Sequence, residues 1–293
     1  MEAGKIFNIP VSGTHAHSWV MAFDNELDAF RAYAKEFPNN CVLLVDTYDV
    51  EQGIKNAIII GKEMKRDGHK LSAIRIDSGD LTWLSKMARK MLDEAGLEDC
   101  GIILSNDLDE YSIKSIKNEG GIFSGLGVGT KLATAYDQPA LGGVYKLSAT
   151  KNSENGKWES LMKVSESYQK TTIPGVLNVR RYMDENGKLA GDMIYDINMG
   201  VDASNTIVDP MDLLRQKKMQ DKKYEDLLVP LFRGGKFVGK SVDTMTAQKI
   251  AKAGLDSLDE TQKRTLNPHT YPVGLEKTLS DKRSKMVAKL RGI

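Results

Sequence analysis

The stretch Ala73-Ile74-Arg75-Ile76-Asp77-Ser78-Gly79-Asp80-Leu81 predicts a buried strand that ends in a polar turn. The run Leu71–Ile76 is apolar except for Arg75, and nearly continuous apolar runs are typical of parallel strands that are covered on both faces. Arg75 and Asp77 are two residues apart, so an extended chain projects both to the same face. A cation in a buried strand needs a partner or a ligand. The pair is therefore either a structural ion pair, with Asp80 capping the next helix, or part of a binding site.

The same strand-then-helix pattern recurs along the first half of the chain. We predict strands at Cys41–Val45, Leu71–Ile76, Gly101–Leu104 and Gly121–Ser124, and helices over about Asn25–Phe37, Gln52–Arg66, Leu81–Ala95 and Asp109–Asn118. Strands that alternate with helices predict βαβ units and a parallel sheet. Polar or glycine-rich residues follow every strand, as they do at the ligand-bearing face of a (β/α) barrel. We therefore predict an α/β fold that is barrel-like but irregular or incomplete, because it offers only four clear units.

The second half of the chain has a different pattern. Short apolar runs separated by polar turns predict an antiparallel β insertion, and two charged segments and one mixed segment predict helices. The predicted strands are Gly143–Ala149, Glu159–Val164, Gly175–Tyr182 and Gly191–Tyr195, and the predicted helices are Met211–Tyr224, Ser241–Arg264 and Glu276–Lys289. No linker separates the halves, so we expect one domain over 1–293. The βα units and the site would occupy about 1–150, and the meander and C-terminal helices about 151–293.

Composition excludes several classes of protein. The 41 Lys and Arg residues nearly balance the 40 Asp and Glu residues, which gives no global electrostatic reason to expect nucleic-acid binding. No apolar stretch approaches the ~20 residues of a membrane span. The two cysteines, Cys41 and Cys100, each begin an apolar run, which favours buried thiols in a reducing compartment. We expect a cytoplasmic protein without a membrane or nucleic-acid partner.

A glycine-rich loop, Gly127-Val128-Gly129-Thr130-Lys131, follows the fourth predicted strand. Its backbone N–H groups are unobstructed by side chains, and Thr130 adds a hydroxyl donor, so the loop suits a phosphate group. The spacing matches neither a Walker motif nor a Rossmann fingerprint. Phosphate sites at the ends of barrel strands are frequent, which favours this interpretation.

Two histidines, His15 and His17, lie in a polar loop near the N-terminus. A histidine can serve as a general base, a metal ligand or a phosphate acceptor. The sequence alone does not show whether His15 or His17 is the functional histidine. An isolated His-x-His is too small a ligand set for a metal ion, so we predict no metal site built by the protein.

Seven segments together resemble the nicotinate phosphoribosyltransferase family, in its order and at its spacing. They are Gly13-Thr14-His15-Ala16-His17-Ser18, Val45-Asp46-Thr47-Tyr48-Asp49, Arg75-Ile76-Asp77-Ser78-Gly79-Asp80-Leu81, Ser105-Asn106-Asp107-Leu108-Asp109-Glu110, Gly127-Val128-Gly129-Thr130, Leu141-Gly142-Gly143-Val144-Tyr145-Lys146-Leu147 and Asn267-Pro268-His269-Thr270-Tyr271-Pro272-Val273. The resemblance implies an enzyme of NAD biosynthesis that joins nicotinate to phosphoribosyl pyrophosphate. The products would be nicotinate mononucleotide and pyrophosphate. It also implies coupling to ATP hydrolysis, with Mg²⁺ accompanying ATP and pyrophosphate.

The resemblance also assigns roles to residues. His17, the last residue of Gly-Thr-x-x-His, would be the phosphorylated histidine and, with Asp77, a catalytic residue. Arg75 and Asp77 would contact the base and ribose, and Asp46 would lie near the ribose–pyrophosphate end. The remaining implied substrate-binding residues are Ser78, Asp80, Asn106 and Asp107, and the residues implied to hold the 5′-phosphate are Gly127, Gly129 and Thr130.

The chain begins almost at the histidine loop, whereas family members normally carry a longer N-terminal segment that supplies an aromatic ring for the pyridine. We therefore expect either a homodimer or association with that segment. The alternative from a different class is a non-catalytic remnant or subunit that binds phosphoribosyl ligands and needs an N-terminal partner. A third hypothesis, a phosphate-sugar isomerase on a (β/α) barrel, explains the glycine-rich loop Gly127–Thr130 but gives His17 no role.

Overall fold

The computed structural model describes residues 2–167 and 170–293. The chain forms two compact units. One is Pro10–Gly142, and the other is Gly143–Ile293 together with the N-terminal residues up to Ile9. The single-domain organisation expected from the sequence stays a prediction.

The unit Pro10–Gly142 is built on a parallel sheet, as its sequence pattern predicts. Its four strands, in both chain and spatial order, are β1 (Cys41–Leu44), β2 (Leu71–Ile76), β3 (Gly101–Ser105) and β4 (Gly125–Gly127). Leu44 lies opposite Arg75, and Ser105 lies opposite Gly127, so the carboxyl ends of the strands are level with one another. This register places the polar residues that follow the strands at one edge of the sheet.

Most helices of this unit bury apolar residues in its core, and four of them begin at side-chain caps. The helices of the unit are α2 (His17–Met21), α3 (Glu26–Glu36), α4 (Val50–Arg66), α5 (Leu81–Glu94), α6 (Glu110–Asn118) and α7 (Thr130–Ala133), while α1 (Glu2–Phe7) belongs to the other unit. Asp49, Asp80 and Asp109 accept backbone N–H bonds at the starts of α4, α5 and α6. Such caps satisfy donors that a helix end leaves without partners. Phe30 and Ile74 are among the fully buried residues of the resulting core.

The fourth strand lies four residues later than the prediction of Gly121–Ser124. Gly120 adopts a positive φ of 78°, and the Gly121 N–H donates to the Ile116 carbonyl, so these residues close α6. The Ser124 side chain accepts from the Ile102 N–H. The Ser124 N–H donates to the Ile102 carbonyl, and the residues paired with β3 begin at Gly125.

The second unit contains a six-stranded sheet in the order β10-β9-β14-β8-β7-β11 among the described residues. These strands are β7 (Leu177–Met183), β8 (Leu189–Asp196), β9 (Thr206–Val208), β10 (Gln216–Lys218), β11 (Lys223–Asp226) and β14 (Val273–Glu276). Four short strands lie outside this sheet: β5 (Ala149–Thr150), β6 (Glu159–Ser160), β12 (Phe232–Arg233) and β13 (Lys236–Phe237). The helices are α8 (Thr244–Ser257) and α9 (Lys277–Arg291). β14 runs parallel to β8, and the other pairs are antiparallel. The predicted antiparallel hairpin of β7 and β8 is confirmed.

The helix predicted over Met211–Tyr224 is wrong. Its charged residues pair as β10 with β9 and as β11 with β7. A buried Met219 lies between the two strands, and Asp221 turns the chain at a φ of 62°. Long-range pairing overrides the local helix preference here, because propensity is a weak signal against tertiary contacts.

The strands predicted at Gly143–Ala149 and Glu159–Val164 are mostly wrong, since only β5 and β6 pair there, over two residues each. The helix predicted over Ser241–Arg264 is shortened to α8, which begins at the Asp243 cap. No helix in the described part of the chain combines the length and apolar character that crossing a bilayer requires.

Candidate functional site

A cleft lies at the carboxyl ends of β2, β3 and β4, within the unit Pro10–Gly142. Its volume is about 750 Å³, within the ~300–1,000 Å³ range of small-molecule sites. Ligands of parallel sheets bind at this end of the strands. The lining residues are Ser12, Gly13, Thr14, Arg75, Asp77, Ile103, Ser105, Asn106, Asp107, Gly125, Leu126, Gly127, Val128, Gly129 and Thr130.

Arg75 is held in the cleft by three neighbours. Its Nη1 donates to the Thr14 hydroxyl at 2.7 Å, and its Nε donates to the Ser105 hydroxyl at 2.9 Å. Its Nη2 lies 3.2 Å from Oδ1 of Asp77. The Arg75 side chain remains 25% exposed, and these contacts engage only part of its five N–H donors. The guanidinium is thus oriented by the protein and still accessible to an anion.

Asp46, which follows β1, is linked to the turn after β2. Its Oδ2 accepts from the Asp77 backbone N–H at 2.8 Å and from the Ser78 hydroxyl at 2.6 Å. Its Oδ1 is buried and has no hydrogen-bond partner among residues 2–167 and 170–293. A buried acceptor without a partner costs free energy, so this oxygen suits a donor from a ligand or from water.

His17 stands beside this carboxylate network. Its Nδ1 lies 3.1 Å from the Thr47 hydroxyl, and its Nε2 lies 3.9 Å from Oδ2 of Asp77. The His17 side chain is 41% exposed. One ring nitrogen is therefore held by the protein, and the ring remains accessible from outside.

His15 has the opposite environment. It is 7% exposed and packs edge-on against the Tyr33 ring, with centroids 4.7 Å apart. Its Nε2 accepts the Leu44 backbone N–H at 3.1 Å. Burial lowers the pKa of His15 below its usual value, and the positive charge of Arg75 acts in the same direction. The geometry thus distinguishes the two histidines, which the residues alone did not.

The glycine-rich loop forms one wall of the cleft. Gly127 lies opposite Ser105, and a Cβ at Gly127 would be only 3.0 Å from the Ser105 Cβ. A Cβ at Gly129 would meet no described atom within 4 Å, so this position faces open space. Thr130 begins α7 and also lines the cleft. The loop therefore presents backbone to the cleft, as a phosphate site requires.

The structure separates the remaining predicted substrate residues into three environments. Asn106 and Asp107 line the cleft with positive φ values of 109° and 37°, a conformation that is uncommon for residues other than glycine and concentrates at functional sites. Ser78 is engaged with Asp46. The Asp80 carboxylate accepts the Trp83 N–H at 2.9 Å as the cap of α5. Asp80, Asp46 and His17 are all outside the lining of the cleft, but Asp46 and His17 each contact Asp77, which lines it.

Sequence reasoning did not single out Thr14, Thr47 or Ser105 as site residues. Each lies within a quoted motif, directly beside a residue that was singled out, and each now contacts Arg75, His17 or Asp77. Ser105 accepts from Arg75 and donates to Asp77, so it bridges the ion pair. Thr47 and Ser105 could have been found from their positions at strand ends, whereas Thr14 lies in the loop before α2 and has no such signal.

No group of three or more His, Cys, Asp or Glu side chains in the described chain is arranged to hold a metal ion. Both cysteines are buried, and burial raises the pKa of the Cys41 and Cys100 thiols to about 12. Neither thiol contributes a thiolate to the site at neutral pH.

Comparison with known families adds to this geometry. The model of the nicotinate phosphoribosyltransferase (NAPRTase) family matches residues 1–185. The model of the nicotinate phosphoribosyltransferase C-terminal domain matches residues 177–283. Together these two matches cover most of the sequence and both structural units.

Curated relatives share substantial identity with this chain. Nicotinate phosphoribosyltransferase from Bacillus subtilis is 43% identical over 279 residues, which is 94% of this chain and 56% of that protein. A nicotinate phosphoribosyltransferase from Mycobacterium tuberculosis is 35% identical over 292 residues, which is 99% of this chain and 55% of that protein. This chain thus spans about half the length of the relatives that it matches.

Solved structures share the fold. The crystal structure of human nicotinic acid phosphoribosyltransferase matches 98% of this chain and 64% of that chain, with a TM-score of 0.74 and 22% identity. Nicotinate-nucleotide pyrophosphorylase from Pyrococcus furiosus matches 87% of this chain and 56% of that chain, with a TM-score of 0.58 and 18% identity. Both confirm a mixed α/β fold with a parallel sheet.

Proposed function

Because this chain belongs to the nicotinate phosphoribosyltransferase family, we propose that its cleft binds phosphoribosyl pyrophosphate and nicotinate and joins them. The observation that carries this proposal is the arrangement of one cleft, with the Arg75–Asp77 pair on one side and the Gly127–Thr130 loop on another. The products are nicotinate mononucleotide and pyrophosphate.

The proposed reaction breaks the bond between ribose C1′ and the pyrophosphate oxygen, and the leaving group takes the electron pair. The pyridine nitrogen of nicotinate then forms the new bond to C1′. Positive charge develops on the ribosyl centre during this exchange, so the carboxylates of Asp46 and Asp77 would stabilise it. Holding both reactants in one cleft supplies the alignment that the displacement requires.

The two walls of the cleft suit the two ends of the ligands. The Gly127–Thr130 loop offers backbone N–H groups and a hydroxyl to the 5′-phosphate. The Arg75 guanidinium, with exposed N–H groups, suits a carboxylate such as that of nicotinate. Asn106 and Asp107 lie between these walls and are proposed to contact the ribose.

His17 is the proposed acceptor of the ATP γ-phosphoryl group. The Thr47 hydroxyl can accept a hydrogen bond from Nδ1 as well as donate one to it, so the contact is compatible with the Nδ1-protonated tautomer, whose Nε2 lone pair would attack phosphorus. The new N–P bond replaces the bond to the bridging oxygen, and ADP leaves. The exposure of His17 permits the approach of ATP, whereas His15 is buried and its Nε2 is engaged.

Mg²⁺ is proposed to accompany the phosphates of ATP and pyrophosphate rather than to occupy a site built by the protein. Mg²⁺ is commonly held by one or two carboxylates plus substrate phosphates. Asp46, whose buried Oδ1 has no partner within the described chain, and Asp77 fit that pattern. When bound, the ion would neutralise phosphate charge.

Three finer expectations from the sequence remain part of the proposal. The parallel sheet with ligand residues at its carboxyl end supports a (β/α) barrel-like layer. The site would be completed by a second copy of the chain or by a further N-terminal segment. The protein would act in the cytoplasm.

The direct test is to incubate the chain, with and without a supplied N-terminal segment, with nicotinate, phosphoribosyl pyrophosphate, ATP and Mg²⁺ and to detect nicotinate mononucleotide by mass spectrometry. We expect product where the site is completed, and there we expect His17→Asn to uncouple ATP hydrolysis from product formation while leaving a weak ATP-independent rate. His69→Asn is the matched control, because His69 is exposed and remote from the cleft lining. Binding of phosphoribosyl pyrophosphate without turnover would favour the non-catalytic alternative. Absence of both would overturn the proposal.

A further inference from the structure

The loop that precedes His17 is tied down at consecutive points. The Thr14 hydroxyl accepts from Arg75 at 2.7 Å and donates to the His15 carbonyl at 3.0 Å. The His15 ring bonds to Leu44 on β1, and His17 contacts Thr47. The position of the His17 ring therefore depends on how this loop is fastened to the sheet.

His15 accepts a hydrogen bond from a backbone N–H group, that of Leu44, which does not face the rest of the sheet. β1 lies at an edge of its sheet, and the Val45 N–H donates to the Arg75 carbonyl on β2. Adjacent N–H groups along a strand point in opposite directions, so the Leu44 N–H faces away from β2. The Nε2 of His15 accepts this donor at 3.1 Å. The His15 ring thus accepts the hydrogen bond that a carbonyl of a neighbouring strand would accept at this position.

The two partners of His15 define its protonation state. Nε2 faces an N–H group and must accept, while Nδ1 lies 3.4 Å from the Ala16 carbonyl and is placed to donate. His15 is therefore the neutral tautomer with its proton on Nδ1. A proton on Nε2 would place an N–H donor of His15 against the Leu44 N–H donor. Among the described residues, the charged and titratable groups that face the ring are Arg75 on β2, His17 at the start of α2 and Tyr33 on α3, and the pKa of His15 is lowered chiefly by burial.

We infer that His15 is a positioning residue, which as a neutral acceptor fastens the loop to β1 and thereby sets the place of the His17 ring. This inference rests on the proposed role of His17. A mere packing role would need only an aromatic ring between Tyr33 and Phe30, which His15 contacts at centroid distances of 4.7 and 5.9 Å. The distinguishing feature is the acceptor nitrogen.

Two substitutions separate packing from acceptance. His15→Phe keeps an aromatic ring and removes the acceptor, whereas His15→Gln keeps an acceptor near the position of Nε2. His69→Phe is the control for a surface histidine. Hydrogen exchange of the Leu44 amide reads the contact without any substrate. We expect His15→Phe to raise the exchange rate of this amide by about tenfold or more, and His15→Gln to keep it within about threefold of wild type.

The second measurement reads the consequence at His17, by the imidazole resonances of His17 and by the kinetics of the chain. We expect His15→Phe to shift the His17 resonances and to lower kcat by about 10- to 100-fold with a KM for nicotinate within about threefold, because a displaced reacting group loses alignment. His15→Gln should restore both. Wild-type kcat or unshifted His17 resonances in His15→Phe would overturn the inference, as would an unchanged Leu44 amide. If the wild-type chain forms no product, the proposed function fails separately, and the exchange and resonance data decide the inference alone.

Discussion

The polar groups of the two units are used differently. In the second unit, Arg181 makes a two-point contact with Asp192, at 2.9 and 2.7 Å, and the Tyr271 hydroxyl donates to the same carboxylate at 2.8 Å. In the unit Pro10–Gly142, Asp46 keeps a buried oxygen without a described partner, and His17 is 41% exposed. The first cluster is closed on itself, and the second still has capacity to bind.

Residue type alone therefore does not identify a binding site, because both clusters contain an Arg–Asp pair. What separates them is whether the protein itself satisfies the donors and acceptors. Glu26 sharpens the rule. It also has a buried oxygen without a described partner, but its other oxygen accepts from Asn56 rather than from a residue that lines the cleft, and burial raises its pKa. An unpartnered oxygen indicates binding only where it stands beside an accessible cleft.

The largest expected effect comes from breaking the closed cluster. Arg181→Met should leave the Asp192 carboxylate, a residue only 8% exposed, without its cation, and should lower the free energy of unfolding by about 3 kcal/mol. Urea denaturation measures this loss. Arg215→Met is the matched control, since Arg215 is 63% exposed and 3.9 Å from Asp209, and it should cost less than about 1 kcal/mol. Equal losses for both variants would show that the closed cluster is not a structural element.

Substitution of Asp80 tests whether its carboxylate caps a helix or binds ligand. As the cap of α5 it should contribute about 1 kcal/mol, which Asp80→Ala removes and Asp80→Asn largely retains. Both variants should keep the wild-type affinity for phosphoribosyl pyrophosphate. Thermal denaturation and calorimetric titration of the two proteins provide the check. A weakening of binding by tenfold in Asp80→Asn would instead restore Asp80 to the site, as the sequence suggested.

The smallest expected effect is the pH dependence that His15 imposes. Its folded pKa lies below the unfolded value of 6.5, so below pH 6.5 the unfolded chain binds more protons than the folded chain. Stability should therefore fall as the pH falls below 6.5, by no more than about 1.4 kcal/mol per pH unit for one proton. Urea denaturation across this range should show a shallower slope for His15→Gln than for wild type. An identical slope would mean that His15 is not held neutral.

Much of the unit Pro10–Gly142 could be predicted because its signals are local. β2 follows from one apolar run, and α4 and α5 follow from apolar spacing after the caps Asp49 and Asp80. The strand β4 was placed too early because the closure of α6 by Gly121 depends on a specific backbone bond to Ile116. Periodicity contains no information on that bond.

The second unit was harder because its pairings join distant segments. β11 is paired with β7, and the charged run that contains it has no strand pattern of its own. The candidate site shows the same limit. The spacing of Arg75 and Asp77 is visible in the sequence, whereas the bond between Arg75 and Thr14 joins residues 61 positions apart. The distinct environments of His15 and His17 also arise only from tertiary packing.

Calorimetric titration of phosphoribosyl pyrophosphate into the wild-type chain and into Asp77→Asn shows whether the Arg75–Asp77 pair binds ligand. Asp77 is 29% exposed, and its partners Arg75 and Ser105 retain each other, so the substitution should leave the unfolding midpoint nearly unchanged. We predict that binding weakens by about tenfold or more, which corresponds to about 1.4 kcal/mol for one lost charge-assisted contact. Unaltered binding together with a large drop in the unfolding midpoint would contradict a binding role and make the Arg75–Asp77 pair structural.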